Sequence, residues 1–162
     1  MSRYLLILGC SQKKNPFPLP MKAMDRYTGV NFRVIKKFSG ERTVPPTLDI
    51  YIISARYGLL HSEDLIEEYD LRMTIQRAQH LHENVMKGLQ ALTTSRTYNE
   101  IFVNLGKDYL PAIEGFEDLV TCPVQYAGGR IGEKMSAMKR WLNHVSLISE
   151  DQLTLEECVS QT

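Results

Sequence analysis

Leu48-Asp49-Ile50-Tyr51-Ile52-Ile53-Ser54 is the clearest strand in the chain, dense in β-branched and aromatic residues. Upstream, Tyr4 to Gly9 is a short apolar run stopped by Gly9-Cys10-Ser11, the pattern of a strand buried on both faces. Downstream, Glu100 to Leu105 reads as a third strand ended by Gly106, and Asp118 to Val124 as a fourth. Between them lie helical patterns: Met21 to Phe38, with Gly29 and Asn31 placed to break it in two, then Ile75 to Leu92 with Thr74 as N-cap. Asp108 to Ile113 reads as a short helix. A final amphipathic helix spans Ile131 to Val145, and Ser146 onward reads as a polar tail. The expected domains are therefore one α/β unit over 1–145 and a tail over 146–162.

Strands that alternate with helices predict a mainly parallel sheet between helices, joined by right-handed crossovers. The expected fold class is three-layer α/β/α with a four-stranded sheet. Such sheets bind ligands at the carboxyl ends of their strands, so the residues just after each strand are the ones to read for function.

After the first strand, Cys10-Ser11-Gln12-Lys13-Lys14 combines small residues with two lysines. That is chemically a phosphate or carboxylate cradle, or else a solvated loop. Cys10 reads as a small buried thiol rather than a nucleophile, because no histidine sits in any strand-end loop. After the second strand, Ser54-Ala55-Arg56-Tyr57-Gly58 makes a compact polar turn. Arg56 can fork onto a phosphate or base edge and Tyr57 can stack on a base. Tyr69-Asp70 adds a carboxylate beside an aromatic ring. Asp70 reads as a general base or an electrostatic stabiliser, or as the structural partner of Arg56 or Arg72. Asn104, at the end of the third strand, can read a base edge or close the strand on its own backbone. Gly128-Gly129-Arg130 opens a helix, which is a generic anion site or simply a flexible start.

The 162 residues suit one domain; 43% are hydrophobic and 23% charged, as in an ordinary globule. The net charge is zero, which argues against a constitutive duplex-DNA binder. Three cysteines without a Cys-x-x-Cys pair argue against a disulfide framework and a structural zinc site. No metal ligand set or cofactor motif emerges. Leu5 to Gly9 is too short for a membrane span or signal core, so no membrane association and a cytoplasmic location are expected.

The Cys10-Ser11-x-x-Lys14 opening, the Ser54-Ala55-Arg56-Tyr57-Gly58-Leu59-Leu60 segment and Tyr69-Asp70 resemble a bacterial and phage domain family of unknown function. That family is distantly similar to the YaaA peroxide-stress family and to the Cys-Ser domain of archaeosine synthase. The resemblance spans about Leu5 to Leu71, with support from Gly128 to Gly132. It implies a uracil-DNA-glycosylase-like fold and chemistry on a modified nucleobase, with a nucleic acid or nucleoside as partner. Glycosylases of that fold place a water-activating Asp or Asn after the first strand. Here that loop offers Gln12 and Asn15, and the nearest motif carboxylate is Asp70.

Two functions follow as expectations. In one, a glycosylase-like hydrolase holds phosphate or ribose with Ser11 and Lys14, frames the base with Arg56 and Tyr57, and uses Asp70 in catalysis. In the other, the same loops bind nucleic acid or nucleotide without chemistry. A stress-response role follows only by analogy with YaaA.

Overall fold

The computed structural model describes residues 2–41 and 45–160, with side chains through residue 148. Its centre is a five-stranded sheet in the order β4-β3-β1-β6-β7, built from β1 (Tyr4–Gly9), β3 (Leu48–Ser54), β4 (Gly58–His61), β6 (Glu100–Asn104) and β7 (Val124–Tyr126). A separate two-stranded ribbon pairs β2 (Met21–Lys22) with β5 (Leu65–Ile66). β1 lies in the middle, parallel to both β3 and β6, and β7 extends the parallel set. Leu5 to Leu8 are fully buried, as a central strand covered on both faces requires.

The sheet has five strands rather than four because the chain doubles back after β3. Gly58 adopts φ +73, a conformation glycine reaches without penalty, and Gly58–His61 then pairs antiparallel with Ser54 back to Tyr51. The expected strand at Asp118 to Val124 is displaced. Gly115, at φ +85, starts a 3₁₀ turn over Phe116–Leu119, and pairing begins only at Val124, past Pro123.

The helices are α1 (Ala23–Arg26), α2 (Val30–Glu41), α3 (Ile75–Ser95) and α4 (Ile131–Ser160), with a 3₁₀ segment over Lys107–Ile113. The Met21–Phe38 pattern divides between α1 and α2 at an extended Tyr27, just before Gly29. Thr74 caps α3 by accepting from the Arg77 amide at 3.1 Å. α4 continues beyond Val145, because no Gly or Pro interrupts residues 146–160 and Ser146 is buried.

The connection from β1 through α2 moves outward to β3, whereas the connections leading to β6 and onward to β7 move the other way. Loops leaving adjacent strands in opposite directions open a crevice between the carboxyl ends of β1 and β6.

Candidate functional site

That crevice is a cleft of about 220 Å3, lined by Cys10, Ser11 and Gln12 from the turn after β1, Leu71 to Met73, and Asp108 with Tyr109 from the Lys107–Ile113 segment. A smaller cavity of about 170 Å3 touches the other side of the Cys10-Ser11 turn, against Gly29 and the start of α2. Close packing fixes this turn. A Cβ on Gly9 would lie 3.1 Å from the Tyr109 ring, and one on Gly29 would lie 2.6 Å from the Ser11 Cβ. Ser11 Oγ donates to the Lys13 carbonyl (2.7 Å) and accepts from the Gly29 amide (3.2 Å).

Tyr109 bridges the two sides of the cleft. Its hydroxyl donates to the Cys10 carbonyl at 2.8 Å and lies 3.2 Å from the Cys10 Sγ. One phenolic hydrogen serves one acceptor, so with the carbonyl occupied the Cys10 thiol is the donor to the phenol oxygen. Burial, with Cys10 close by, holds the Tyr109 hydroxyl protonated far above the ordinary tyrosine range.

In the interior, three hydroxyls close a ring. Tyr27 donates to Ser54 at 3.1 Å, Ser54 and Tyr69 meet at 3.0 Å, and Tyr69 and Tyr27 meet at 2.7 Å. Each hydroxyl donates once and accepts once if the ring runs Tyr27 to Ser54 to Tyr69 to Tyr27. Ser54 Oγ also accepts from the amides of Tyr57 (3.1 Å) and Arg56 (3.3 Å), so it shapes the turn after β3. Burial raises both phenol pKa values strongly. Ser54 and Tyr69, expected as ligand contacts, are thus buried and committed to the interior through this ring.

The ring of Tyr69 carries the cationic part of the site. Lys14 Nζ lies 4.3 Å from its centroid, and Tyr57 meets it edge-on at 5.6 Å with Arg56 over the Tyr57 ring. Arg77 fixes the same turn by donating to the Ala55 carbonyl at 2.6 Å and the Arg56 carbonyl at 3.2 Å. Arg26, wholly buried, donates to the carbonyls of Asn15, Phe17, Leu19 and Ile66, which ties the Asn15–Leu19 loop to β5. Its Nε is buried without a partner.

The structure therefore brings together Cys10, Ser11, Lys14, Arg56, Tyr57 and Tyr69 around one end of the sheet. Lys13 is exposed on the same loop. Asp70 is exposed and lines neither cavity beside Cys10; the carboxylate in the cleft is Asp108. Asn104 is buried beneath α4, with its amide directed at the Met138 sulfur (3.4 Å), so it does not face the cleft. Gly128, Gly129 and Arg130 are exposed at the start of α4, where Gly129 takes φ +82; only the following Ile131 reaches the smaller cavity. Sequence reading stopped at the residues directly after β6 and so missed Asp108 and Tyr109. Among the described residues, no cluster of His, Cys, Asp or Glu could hold a metal ion, and no helix is long and apolar enough to cross a membrane.

An open, mainly parallel α/β sheet flanked by helices, with a polar cleft at its switch point, is the class of protein that these features define. The chain belongs to the family of unknown function DUF6884, which matches residues 5–140. Its fold is similar to the crystal structure of AF0587, a protein of unknown function, at a TM-score of 0.52 and 16% identity. That match covers 87% of this chain and 44% of the other, so the chain spans less than half the length of that protein. No curated protein matches the chain.

Proposed function

We propose that the cleft takes a nucleobase or nucleoside and that the protein is an enzyme of the glycosylase or hydrolase kind acting on it. The observation that carries this reading is the convergence of Asp108, Arg72, Tyr109 and Cys10 on one cavity of about 220 Å3 at the switch point. A cavity below the usual range of roughly 300–1,000 Å3 for drug-sized ligands suits one heterocyclic ring rather than a whole nucleotide. Tyr57, more than a third exposed, packs edge-on against Tyr69 with Arg56 over its ring, and Lys14 sits over the Tyr69 ring, so an aromatic surface and two cations lie on the loops after β1 and β3. The Cys-Ser and Ser-Ala-Arg-Tyr-Gly-Leu-Leu motifs resemble a family of unknown function distantly similar to the YaaA family and to the Cys-Ser domain of archaeosine synthase, and through them to the uracil-DNA-glycosylase-like fold, which supports the same substrate class.

In this reading Asp108 takes the catalytic role that the motifs alone would give to Asp70. Its carboxylate accepts a proton from the attacking water, or stabilises positive charge developing on the sugar as the N-glycosidic bond breaks. The base leaves with the bonding electron pair, and Arg72 stabilises the negative charge that it acquires.

The test is a base-release assay on free nucleosides and on oligonucleotides that carry uracil, 5-hydroxymethyluracil or 7-deazaguanine derivatives. Asp108→Asn is expected to keep ligand binding and lose turnover by about 10²- to 10⁴-fold. Asp70→Asn is expected to behave as the parent protein. Turnover lost in Asp70→Asn but retained in Asp108→Asn would return the role to Asp70. Binding without release would make the protein a binding module, and neither binding nor release would refute the nucleobase reading.

A further inference from the structure

The 3₁₀ segment Lys107–Ile113 has two working sides. Asp108 and Tyr109 line the cleft, while Leu110, Pro111 and Ile113 line a separate groove of about 660 Å3. That volume falls within the range of roughly 300–1,000 Å3 seen for small-molecule sites. Tyr126 of β7 forms a further wall, and both it and Leu110 leave more than a third of their surface to water, at 38% and 39%. The polar lining is unbalanced in charge: Glu114 and Glu117 face one ammonium, that of Lys107.

The Tyr126 hydroxyl donates to the Glu117 carboxylate. This bond fixes the ring against the groove and holds Glu117 ionised, its pKa lowered by the Tyr126 hydrogen bond. A phenol that donates to a carboxylate also gains electron density on its ring face, which strengthens its attraction for a cation. An apolar trough, an electron-rich ring face and excess negative charge meet in one place, at the β7 edge of the sheet.

We propose that this groove is a second small-molecule site, which takes a planar aromatic ligand carrying a positive charge. The aromatic body lies along Leu110, Pro111 and Ile113. The charge sits between the face of Tyr126 and the two carboxylates. The site is distinct from the nucleobase cleft and does not depend on what that cleft binds.

Fluorescence titration of the full chain tests this with two dyes of comparable size: thioflavin T, a planar aromatic cation, and anilinonaphthalene sulfonate, an aromatic anion. Saturable enhancement of thioflavin T with no saturable response from the anion is expected at low salt. Tyr126→Ala and Glu117→Gln are each expected to weaken thioflavin T binding by about tenfold, the scale of one cation–π contact or ion pair. Phe17→Ser, at an exposed aromatic elsewhere on the surface, should leave it unchanged. Glu117→Gln alters an exposed side chain and keeps the test open if Tyr126→Ala does not fold, as judged by circular dichroism. The proposal is overturned if neither dye binds, if the anion binds as well as the cation, or if folded Glu117→Gln binds thioflavin T with the parent affinity.

Discussion

Replacing Ser54 by Ala removes one oxygen from the centre of the hydroxyl ring. In the native fold that atom accepts from the Tyr27 hydroxyl and the Tyr57 amide, adds a longer contact to the Arg56 amide, and meets the Tyr69 hydroxyl. After the substitution the two phenols still share their 2.7 Å bond, so one phenolic hydrogen keeps an acceptor and the other loses it. The Tyr57 amide loses its acceptor as well. The buried Tyr27 hydroxyl left unpaired costs about 1–3 kcal/mol and the part-buried Tyr57 amide adds a smaller amount, so the fold is destabilised by about 3 kcal/mol. Against a total stability on the order of 5–15 kcal/mol this is a large fraction. In a urea titration followed by far-ultraviolet circular dichroism, with a slope of about 2 kcal/mol per M, the midpoint falls by about 1.5 M. Tyr69→Phe leaves the Tyr27–Ser54 bond and both amide contacts in place and orphans only the buried Ser54 hydroxyl hydrogen, so it should cost less, about 1–2 kcal/mol. A Ser54→Ala protein within about 0.5 kcal/mol of the parent would refute the account of Ser54 as an internal hub.

Arg26→Lys replaces a fork that reaches four carbonyls with a single ammonium, so it should destabilise by about 2–4 kcal/mol and increase proteolytic cutting in the Asn15–Leu19 loop. Gly29→Ala puts a methyl 2.6 Å from the Ser11 Cβ and should cost about 1–3 kcal/mol in thermal or chemical denaturation; a neutral result would show that the turn after β1 yields freely. Alkaline stability follows from the phenols: burial raises the pKa of Tyr27, Tyr69, Tyr98 and Tyr109 in the fold, whereas the unfolded chain releases those protons near pH 10. Their contribution is fully present below about pH 10 and is lost above it, so the urea midpoint should fall as pH rises past that point. Tyrosinate absorbance of the folded protein should appear at higher pH than that of the chain in denaturant.

The β1 and β3 strands carry their identity locally. An uninterrupted run of Leu and Ile can satisfy itself only where both faces are covered, and the structure buries Leu5 to Leu8, Ile52 and Ile53 completely. The helix from Ile75 was equally legible, because Thr74 supplies its own cap. The hairpin at Gly58 left a trace in the glycine of Ser-Ala-Arg-Tyr-Gly, yet Gly58–His61 becomes a strand only because β3 offers an edge to pair with. The length of α4 was hidden because a polar sequence without breakers reads as either helix or tail.

The candidate site divides along the same line. Local chemistry by itself placed Cys10, Ser11 and Lys14, and Arg56 with Tyr57, at strand ends, since small residues and turn formers announce themselves within a few positions. Only the tertiary structure brought Tyr109 to Cys10, 99 positions away, and Tyr27 to Tyr69, 42 positions away. It also lined the cleft with Asp108 rather than Asp70, and it turned Ser54, Tyr69 and Asn104 inward. Residue type and spacing specify what the backbone does over a few residues. Which side chains meet across the sheet is set by strand order and register, and these depend on the packing of the whole core.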